Sequence, residues 1–214
     1  MAILDKYPAS EQRRHVPSPD EECPPRPWKW TGDDLIRMGG LGLLPPEGRF
    51  ELLDGVIYQL MPPGPFHSYL VGVISGIVER LVAAAGACVR EEKPIRLNAT
   101  YDPQPDVAVV RGPKQTYRDR YPEPHEVLLV IEVVLSSLDH DRDLKLPAYG
   151  AAGIPECWLV NVREKSVEVY RDPGPAGYRL RRICGAGETI ELLASPAVSL
   201  RVDDLLDEKA PAAQ

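Results

Sequence analysis

A continuous apolar run with a single acid inside it limits, more than any other feature, what this chain can fold into. Residues 127–135 read Val-Leu-Leu-Val-Ile-Glu-Val-Val-Leu, so a strand here is apolar on both faces except at Glu132. Such a strand is typical of the centre of a sheet that is covered on both sides. A buried carboxylate without a partner is costly, so Glu132 would either be protonated or require a cation. We favour a functional acid over the two alternatives, a structural ion pair with an arginine or lysine and a solvent-facing place at the strand end.

Other periodic segments indicate an α/β domain around this strand. Apolar residues at helical spacing predict a long amphipathic helix over residues 66–85 that ends at Gly86. Asp54-Gly55 predicts an N-terminal β-hairpin between two β-prone runs, 49–53 and 56–60. A helix is predicted over residues 32–38, capped by Thr31 and stopped by Gly39-Gly40, and another over 139–152 with Pro147 inside or near its end. Strands are predicted at 88–97, 106–111, 156–162 and 167–170. A C-terminal hairpin is predicted from residues 178–183 and 189–192.

The length of 214 residues suits one domain with short tails. Residues 1–27 are rich in proline and charge and lack apolar periodicity, so we predict a flexible N-terminal arm there. The domain is expected over residues 28–206, followed by a C-terminal tail over 207–214.

Composition excludes several classes of protein. The net charge of −7 argues against a purely electrostatic nucleic-acid binder, but not against a nuclease, whose site concentrates carboxylates. The four cysteines are far apart, which predicts neither a zinc site nor a disulfide framework. No segment is read as apolar enough to span a bilayer, so we expect a cytoplasmic protein with no membrane partner.

A second acid and a lysine add chemistry to Glu132. Pro105 holds Asp106 at the start of an apolar run, although Pro-Asp alone is more often a turn. Asp141 and Lys145 are four residues apart and can form an exposed ion pair on a helix. That helix directly follows the Glu132 strand, so its lysine can also return to the acids. Acids on adjacent strands with a lysine in reach suit Mg²⁺ or Mn²⁺ and phosphodiester hydrolysis.

The order of these motifs resembles the Uma-two family of restriction endonucleases, within the PD-(D/E)xK superfamily. The similarity covers roughly residues 31–206 and is most specific over residues 145–156. It is carried by Phe50-Glu51-Leu52-Leu53-Asp54-Gly55, His67, Pro105-Asp106-Val107, Ile131-Glu132-Val133, Ser136-Ser137-Leu138, Asp141-Arg142, the run from Lys145 to Glu156, and Trp158-Leu159-Val160-Asn161.

The resemblance implies a restriction-endonuclease-like mixed β-sheet flanked by helices, with Asp106 and Glu132 as metal ligands on neighbouring strands. The main-chain carbonyl of Val133 completes the ligand shell in that interpretation. The standard pattern places its lysine two residues after the second acid, where this chain has Val134. The resemblance moves that role to Lys145 on the following helix.

Two further residues are candidates for the same site. Glu51 resembles the accessory acid that such folds supply from their N-terminal part, and an exposed strand carboxylate is an equally good interpretation. His67 stands in the first turn of the long helix, where it can contact phosphate or the acids, or simply cap or pack the helix.

These features predict a divalent-metal-dependent endonuclease that hydrolyses DNA and uses Mg²⁺ or Mn²⁺. The alternatives are a non-catalytic nucleic-acid or protein-binding module on the same fold, and a metal-dependent hydrolase of another phosphorylated substrate. DNA is the expected partner, and a homodimer is left open. Candidate contacts to nucleic acid are Arg111, Lys114, Arg118 and Arg120, interleaved with Tyr117 and Tyr121, and secondarily Arg179, Arg181 and Arg182. All of these cations can equally be solvated surface.

Overall fold

A six-stranded mixed sheet organises the chain. A computed structural model describes residues 25–135 and 141–206. The sheet order is β3-β4-β5-β6-β7-β8, and of these pairs only β5–β6 is parallel. The strands are β1 (Arg49–Leu53), β2 (Val56–Leu60), β3 (Ala87–Glu91), β4 (Val107–Arg111), β5 (Val127–Val134), β6 (Glu156–Asn161), β7 (Ser166–Gly174), β8 (Gly177–Gly185), β9 (Thr189–Leu192) and β10 (Ser195–Arg201). The helices are α1 (Gly32–Gly40), α2 (Pro65–Val82), α3 (Leu146–Ala151) and α4 (Val202–Leu205).

Helices cover both faces of the sheet, which explains why β5 is apolar on both sides. Helix α2 packs through Leu70, Ile74 and Val78 on one face, together with α4 and the β9–β10 hairpin. Helix α3 packs through Leu146 and Tyr149 on the other. The predicted restriction-endonuclease-like mixed sheet flanked by helices is therefore confirmed.

Local turn signals are confirmed where the backbone requires them. Asp54 and Gly55 both have positive φ, 48° and 76°, and they join β1 to β2 as a two-residue hairpin turn. Gly86 ends the long helical segment with φ of 67°. Thr31 caps α1 through a reciprocal capping box with Asp34. This helix continues through Gly39-Gly40 instead of stopping before them.

The predicted pairing of the C-terminal hairpin is wrong. Strand β8, which contains residues 178–183, pairs with β7, and β9 pairs with β10. A C-terminal hairpin exists, but its second strand is residues 195–201. Strand β7 is longer than expected because it continues through Pro173, which is paired opposite Tyr178.

The helix predicted over residues 139–152 also differs. Its described part begins with a wide π-helical turn, Asp141–Lys145, and continues as the short helix α3. Pro147 lies in the first turn of α3, where the missing N–H breaks no helical hydrogen bond. Ser136, Ser137 and Leu138 of the family motif lie outside the described residues.

One segment meets the size requirement for a membrane span, contrary to the sequence expectation. Helix α2 with the turn after it, Pro65–Ala85, is long and apolar enough by length and composition. The core helix of a soluble protein passes the same test, and α2 buries Leu70, Val71, Ile74 and Val78 against the sheet. Length and composition are therefore weak evidence for a span here.

The N-terminal arm gives the first testable prediction. A shortened chain that starts at Pro27 should unfold at nearly the same temperature as the full chain, because residues 1–26 have no apolar periodicity with which to dock. Most of this arm lies outside the described residues. Calorimetry of the two chains checks the prediction, and a large fall in melting temperature would move the domain boundary towards the N-terminus.

Candidate active site

A buried cluster of two acids and one lysine lies at one end of the central strands. The exposed fractions of Glu51, Glu132 and Lys145 are 0%, 2% and 5%. Lys145 Nζ lies 3.2 Å from Glu51 Oε2 and 3.6 Å from Glu132 Oε1. The hydroxyl of Tyr149 donates a hydrogen bond of 2.7 Å to Glu132 Oε1. Glu132 is thus neither exposed nor without a cation, and one ammonium contacts two carboxylates.

Each member of this cluster is positioned by a different element. Glu51 lies on β1, and the backbone N–H of Gln104 donates to its Oε2 at 3.2 Å. The hairpin is attached to the rest of the fold by an antiparallel bridge between Leu52 and Asp102. Lys145 ends the π-helical turn and α3 begins directly after it. The crossover between the parallel strands β5 and β6 therefore carries the lysine back to the acids.

Asp106 adjoins the cluster because of the register between β4 and β5. Val107 is paired with Ile131, so Asp106 stands beside Glu132. The Asp106 N–H donates to Glu132 Oε2 at 3.2 Å, and Asp106 Oδ2 accepts a 2.7 Å hydrogen bond from the N–H of Val133. The two predicted acids are therefore directly linked through the backbone.

His67 and Glu92 approach Asp106 from the opposite side. His67 Nε2, in the first turn of α2, lies 3.2 Å from Asp106 Oδ2. Glu92 follows β3 with a positive φ of 45°, and its N–H donates to the carbonyl of Asp106. One potential ligand atom from each of these three residues lies within 4.8 Å of the other two. One imidazole and two carboxylates at this spacing suit a divalent cation.

The surroundings of His67 and Tyr149 shift the pKa values of both side chains. The hydrogen bond to Asp106 raises the pKa of the His67 imidazole, against the lowering effect of burial. Burial and the adjacent Glu132 carboxylate raise the pKa of the Tyr149 hydroxyl well above its usual value. Tyr149 therefore remains a hydrogen-bond donor to Glu132 across the physiological range.

These groups open into one cleft of about 390 Å³. His67, Glu92, Asp106, Glu132 and Lys145 all line it, whereas Glu51 lies beneath it. Arg49, which also lines the cleft, donates a 2.8 Å hydrogen bond to Glu92. All five sequence candidates, Glu51, His67, Asp106, Glu132 and Lys145, are thus brought together.

The predicted nucleic-acid contacts are not part of this cleft. Arg111 ends β4, the strand that Asp106 precedes, and so lies at its far end. Lys114 pairs with Glu79 at 2.7 Å, Arg118 with Asp119 at 3.0 Å, and Arg120 with Glu126 at 2.6 Å. Arg179, Arg181 and Arg182 lie on the edge strand β8. These cations remain candidates for contacts beyond the cleft.

Sequence reasoning missed Glu92 and Arg49. Glu91 and Glu92 lie within the single strand predicted over residues 88–97, and nothing local distinguishes the two glutamates. Strand pairing does so, because β3 ends at Glu91 and the backbone then turns Glu92 towards Asp106. A strand-end acid before an X-Pro turn was the one available signal.

The Arg120–Glu126 pair gives a prediction about pH. The hydrogen bond from Arg120 holds the pKa of Glu126 at about 2, below its usual 4.5. When folding lowers the pKa of a carboxyl, that group stabilises the folded protein at pH values above its pKa in the unfolded state. This stabilisation is lost as the pH falls towards and through its pKa in the folded state. Because Arg120 is 45% exposed, solvent screens the pair, and we expect its contribution to the free energy of unfolding to be small.

Glu126→Gln should therefore lower the free energy of unfolding near neutral pH, and the difference from the parent should shrink between pH 4.5 and 2. Urea unfolding at several pH values measures it. A difference that stays constant through this range would contradict the assignment.

The fold and the site together define a class of protein, namely a restriction-endonuclease-like α/β domain with an acid and lysine cluster at the end of its central strands. The chain matches the model of the Uma2 family, described as "Putative restriction endonuclease", over residues 34–203. The match spans most of the chain, so the chain belongs to the Uma2 family. No curated protein shows significant similarity to it.

A solved structure supports the fold. It is the crystal structure, at 1.96 Å resolution, of a protein from Anabaena variabilis ATCC 29413 described as "a putative nuclease belonging to DUF820". The TM-score is 0.64 and the sequence identity 18%, and the match covers 82% of this chain and 96% of that one. At this identity the similarity establishes the shared fold.

Proposed function

We propose that this protein is a divalent-metal-dependent endonuclease that hydrolyses phosphodiester bonds of DNA in the cytoplasm. The observation that carries the proposal is the buried contact of Lys145 with Glu51 and Glu132, directly beside Asp106 and at the floor of an open cleft. The Uma2 family description supports nuclease chemistry, and therefore a nucleic-acid substrate. Buried charges in such number are costly for stability, which favours a functional role.

The residues present suit a metal ion. His67, Glu92 and Asp106 would hold it, and Glu132 lines the same cleft. A bound divalent cation supplies positive charge to the phosphate and lowers the pKa of a water molecule. Carboxylates favour Mg²⁺ and Mn²⁺, and the imidazole shifts this preference towards Mn²⁺.

The chain's own groups then have separate tasks. Lys145 directs a positive charge into the cleft, where it stabilises the charge that develops on a phosphate oxygen. Tyr149 and the N–H of Asp106 each donate to one oxygen of Glu132 and so fix this carboxylate. Arg49 fixes Glu92 in the same way. The site is therefore preorganised by the protein's hydrogen bonds.

The test is a cleavage assay on plasmid, single-stranded DNA and RNA, with Mg²⁺, with Mn²⁺ and with a chelator. We expect cleavage of DNA that requires the metal. Tight binding of nucleic acid with no cleavage under any condition would instead support a non-catalytic binding module. Faster cleavage of RNA than of DNA would overturn the substrate assignment.

Glu92 and its neighbour offer a matched pair of variants for metal binding. Glu92→Gln should weaken Mn²⁺ binding about tenfold or more, because it removes the negative charge of one of three ligand groups, whereas Glu91→Gln should bind like the parent. The rise in melting temperature with Mn²⁺ concentration measures the affinity. Equal behaviour of the two variants would remove Glu92 from the metal site.

A further inference from the structure

A second concavity, the arginine pocket, lies outside the acid cleft. Its volume is about 470 Å³, and its lining includes Arg90, Arg96, Arg118, Arg120, Tyr117 and Tyr121. Acids also line it, namely Asp33, Asp119 and Glu123. The pocket therefore carries charges of both signs, and the ligand that it can bind depends on which of its arginines already pair with a carboxylate.

Three of its four arginines have carboxylate partners. Arg96 contacts Asp33 and Asp102, Arg118 contacts Asp119, and Arg120 contacts Glu126. Arg90 differs: its Nε is buried and has no hydrogen-bond partner, and no ion pair of Arg90 occurs within residues 25–135 and 141–206. The pocket thus holds one guanidinium whose charge is not matched.

The guanidinium of Arg90 is held in place although it has no hydrogen-bond or ion-pair partner among the described residues. It lies on β3, at an edge of the sheet, and its guanidinium carbon is 5.5 Å from the centre of the Tyr117 ring. Arg120 lies 5.1 Å from the same ring. Partial burial also lowers the pKa of the Arg90 guanidinium. An unpaired buried donor is unfavourable, and an anionic oxygen is the partner that relieves this best.

Tyr121 connects the arginine pocket with the acid cleft. It lines the arginine pocket and also a smaller apolar pocket of about 150 Å³. Gln104 lines this small pocket and the acid cleft. The three concavities are therefore linked through shared lining residues, and the Tyr121 ring, whose centre lies 5.8 Å from the guanidinium carbon of Arg96, belongs to two of them.

We propose that the arginine pocket binds one nucleotide of a single-stranded nucleic acid, with a phosphate on Arg90 and the base stacked on Tyr121. This inference rests on the proposed function, since it assumes that the strand continues into the acid cleft. A base can stack on a tyrosine only when it is unpaired, which defines the substrate as single-stranded or locally opened. The guanidinium supplies the charge-assisted hydrogen bonds to phosphate.

The experiment measures binding of a labelled single-stranded oligonucleotide to the full chain in a chelator, so that no cleavage occurs. Arg90→Gln should weaken binding about five- to tenfold and reduce the slope of log affinity against log salt by about 0.7, as the loss of one phosphate contact requires. The matched control Arg201→Gln removes the same charge from an arginine that is 61% exposed on β10, and it should change neither value. Melting curves show that both variants fold.

The base contact has its own comparison. Tyr121→Leu should weaken binding about fivefold or more, whereas Tyr121→Phe, which keeps the ring, should bind like the parent. A nucleoside monophosphate should compete with the oligonucleotide, and inorganic phosphate at the same concentration should not. A blunt duplex of the same sequence should bind more weakly than the single strand.

Several results would overturn the proposal. Equal losses in Arg90→Gln and Arg201→Gln would indicate general electrostatic attraction, and competition by inorganic phosphate alone would indicate a simple anion site. Tighter binding of the duplex would contradict the single-stranded assignment. If binding shows the expected pattern but no metal supports cleavage, the arginine pocket is supported and the proposed endonuclease activity is contradicted. If cleavage depends on metal but Arg90→Gln binds like the parent, the proposed activity is supported and the arginine pocket is contradicted.

Discussion

Asp106→Asn should reduce metal-dependent cleavage about 10³-fold or more while leaving the fold intact. Asp106 contacts His67, is linked to Glu132 through its own N–H and accepts a hydrogen bond from Val133, so it belongs to both the acid cluster and the metal-ligand group. Asparagine keeps the size and one acceptor oxygen but removes the charge that a cation requires. The rise in melting temperature on addition of Mn²⁺ should disappear with the activity.

Initial cleavage rates and melting curves with and without Mn²⁺ measure these effects. Asp172→Asn is the matched control, because Asp172 is an exposed acid paired with Arg179 outside the cleft. It should cleave and melt like the parent. Retained cleavage in Asp106→Asn would show that the chemistry takes place elsewhere or that no metal is needed.

Lys145→Met should lower the free energy of unfolding by about 3 kcal/mol or more in the absence of metal, because it removes the buried ammonium that Glu51 and Glu132 both contact. Methionine fills a similar volume, so the loss reports charge more than packing. Mn²⁺ should restore part of the stability, since a divalent cation supplies positive charge near the same carboxylates. Cleavage should remain strongly reduced even when the metal is bound.

Urea unfolding with and without Mn²⁺ tests this prediction. The control is Lys114→Met, which removes a lysine that is 62% exposed and paired with Glu79, and it should cost less than about 1 kcal/mol. Parent-like stability of Lys145→Met would show that the contact of Lys145 with the two acids contributes nothing to folding.

The two interpretations of Glu132 that the sequence left open turn out to be compatible. Glu132 does contact a lysine, as a structural ion pair requires, and this lysine is the one assigned to the chemistry. The metal-free protein thus already places one ammonium against both Glu51 and Glu132.

Local signals made the core of the fold predictable, and long-range pairing did not. The run of β5 and the Asp54-Gly55 turn contain their structural information within a few residues, so both are correct. The partner of β8 depends on a register between distant segments, and no local pattern distinguishes β7 from β9 as that partner. The helix before β6 differs because Pro147 sets its first turn and a π-helical turn precedes it.

The same limit applies to the site. Glu132 was identified as a candidate because an acidic residue is unusual within an apolar strand. The order of the motifs identified the other candidates. Glu92 was missed because its position depends on where β3 ends relative to Asp106. No pattern in the sequence indicated that the hydroxyl of Tyr149 donates to Glu132.

The crossover that carries Lys145 also determines when, during synthesis, the site can first exist. Glu51, Asp106 and Glu132 are made first, and their balancing cation emerges from the ribosome only afterwards, shortly before β6. Until then a growing chain holds three acids without that cation, and β5 lacks its parallel neighbour. A truncated chain that ends before Lys145 lacks both the parallel neighbour of β5 and the ammonium that Glu51 and Glu132 contact, so we expect such a fragment to have neither a complete sheet nor a complete site.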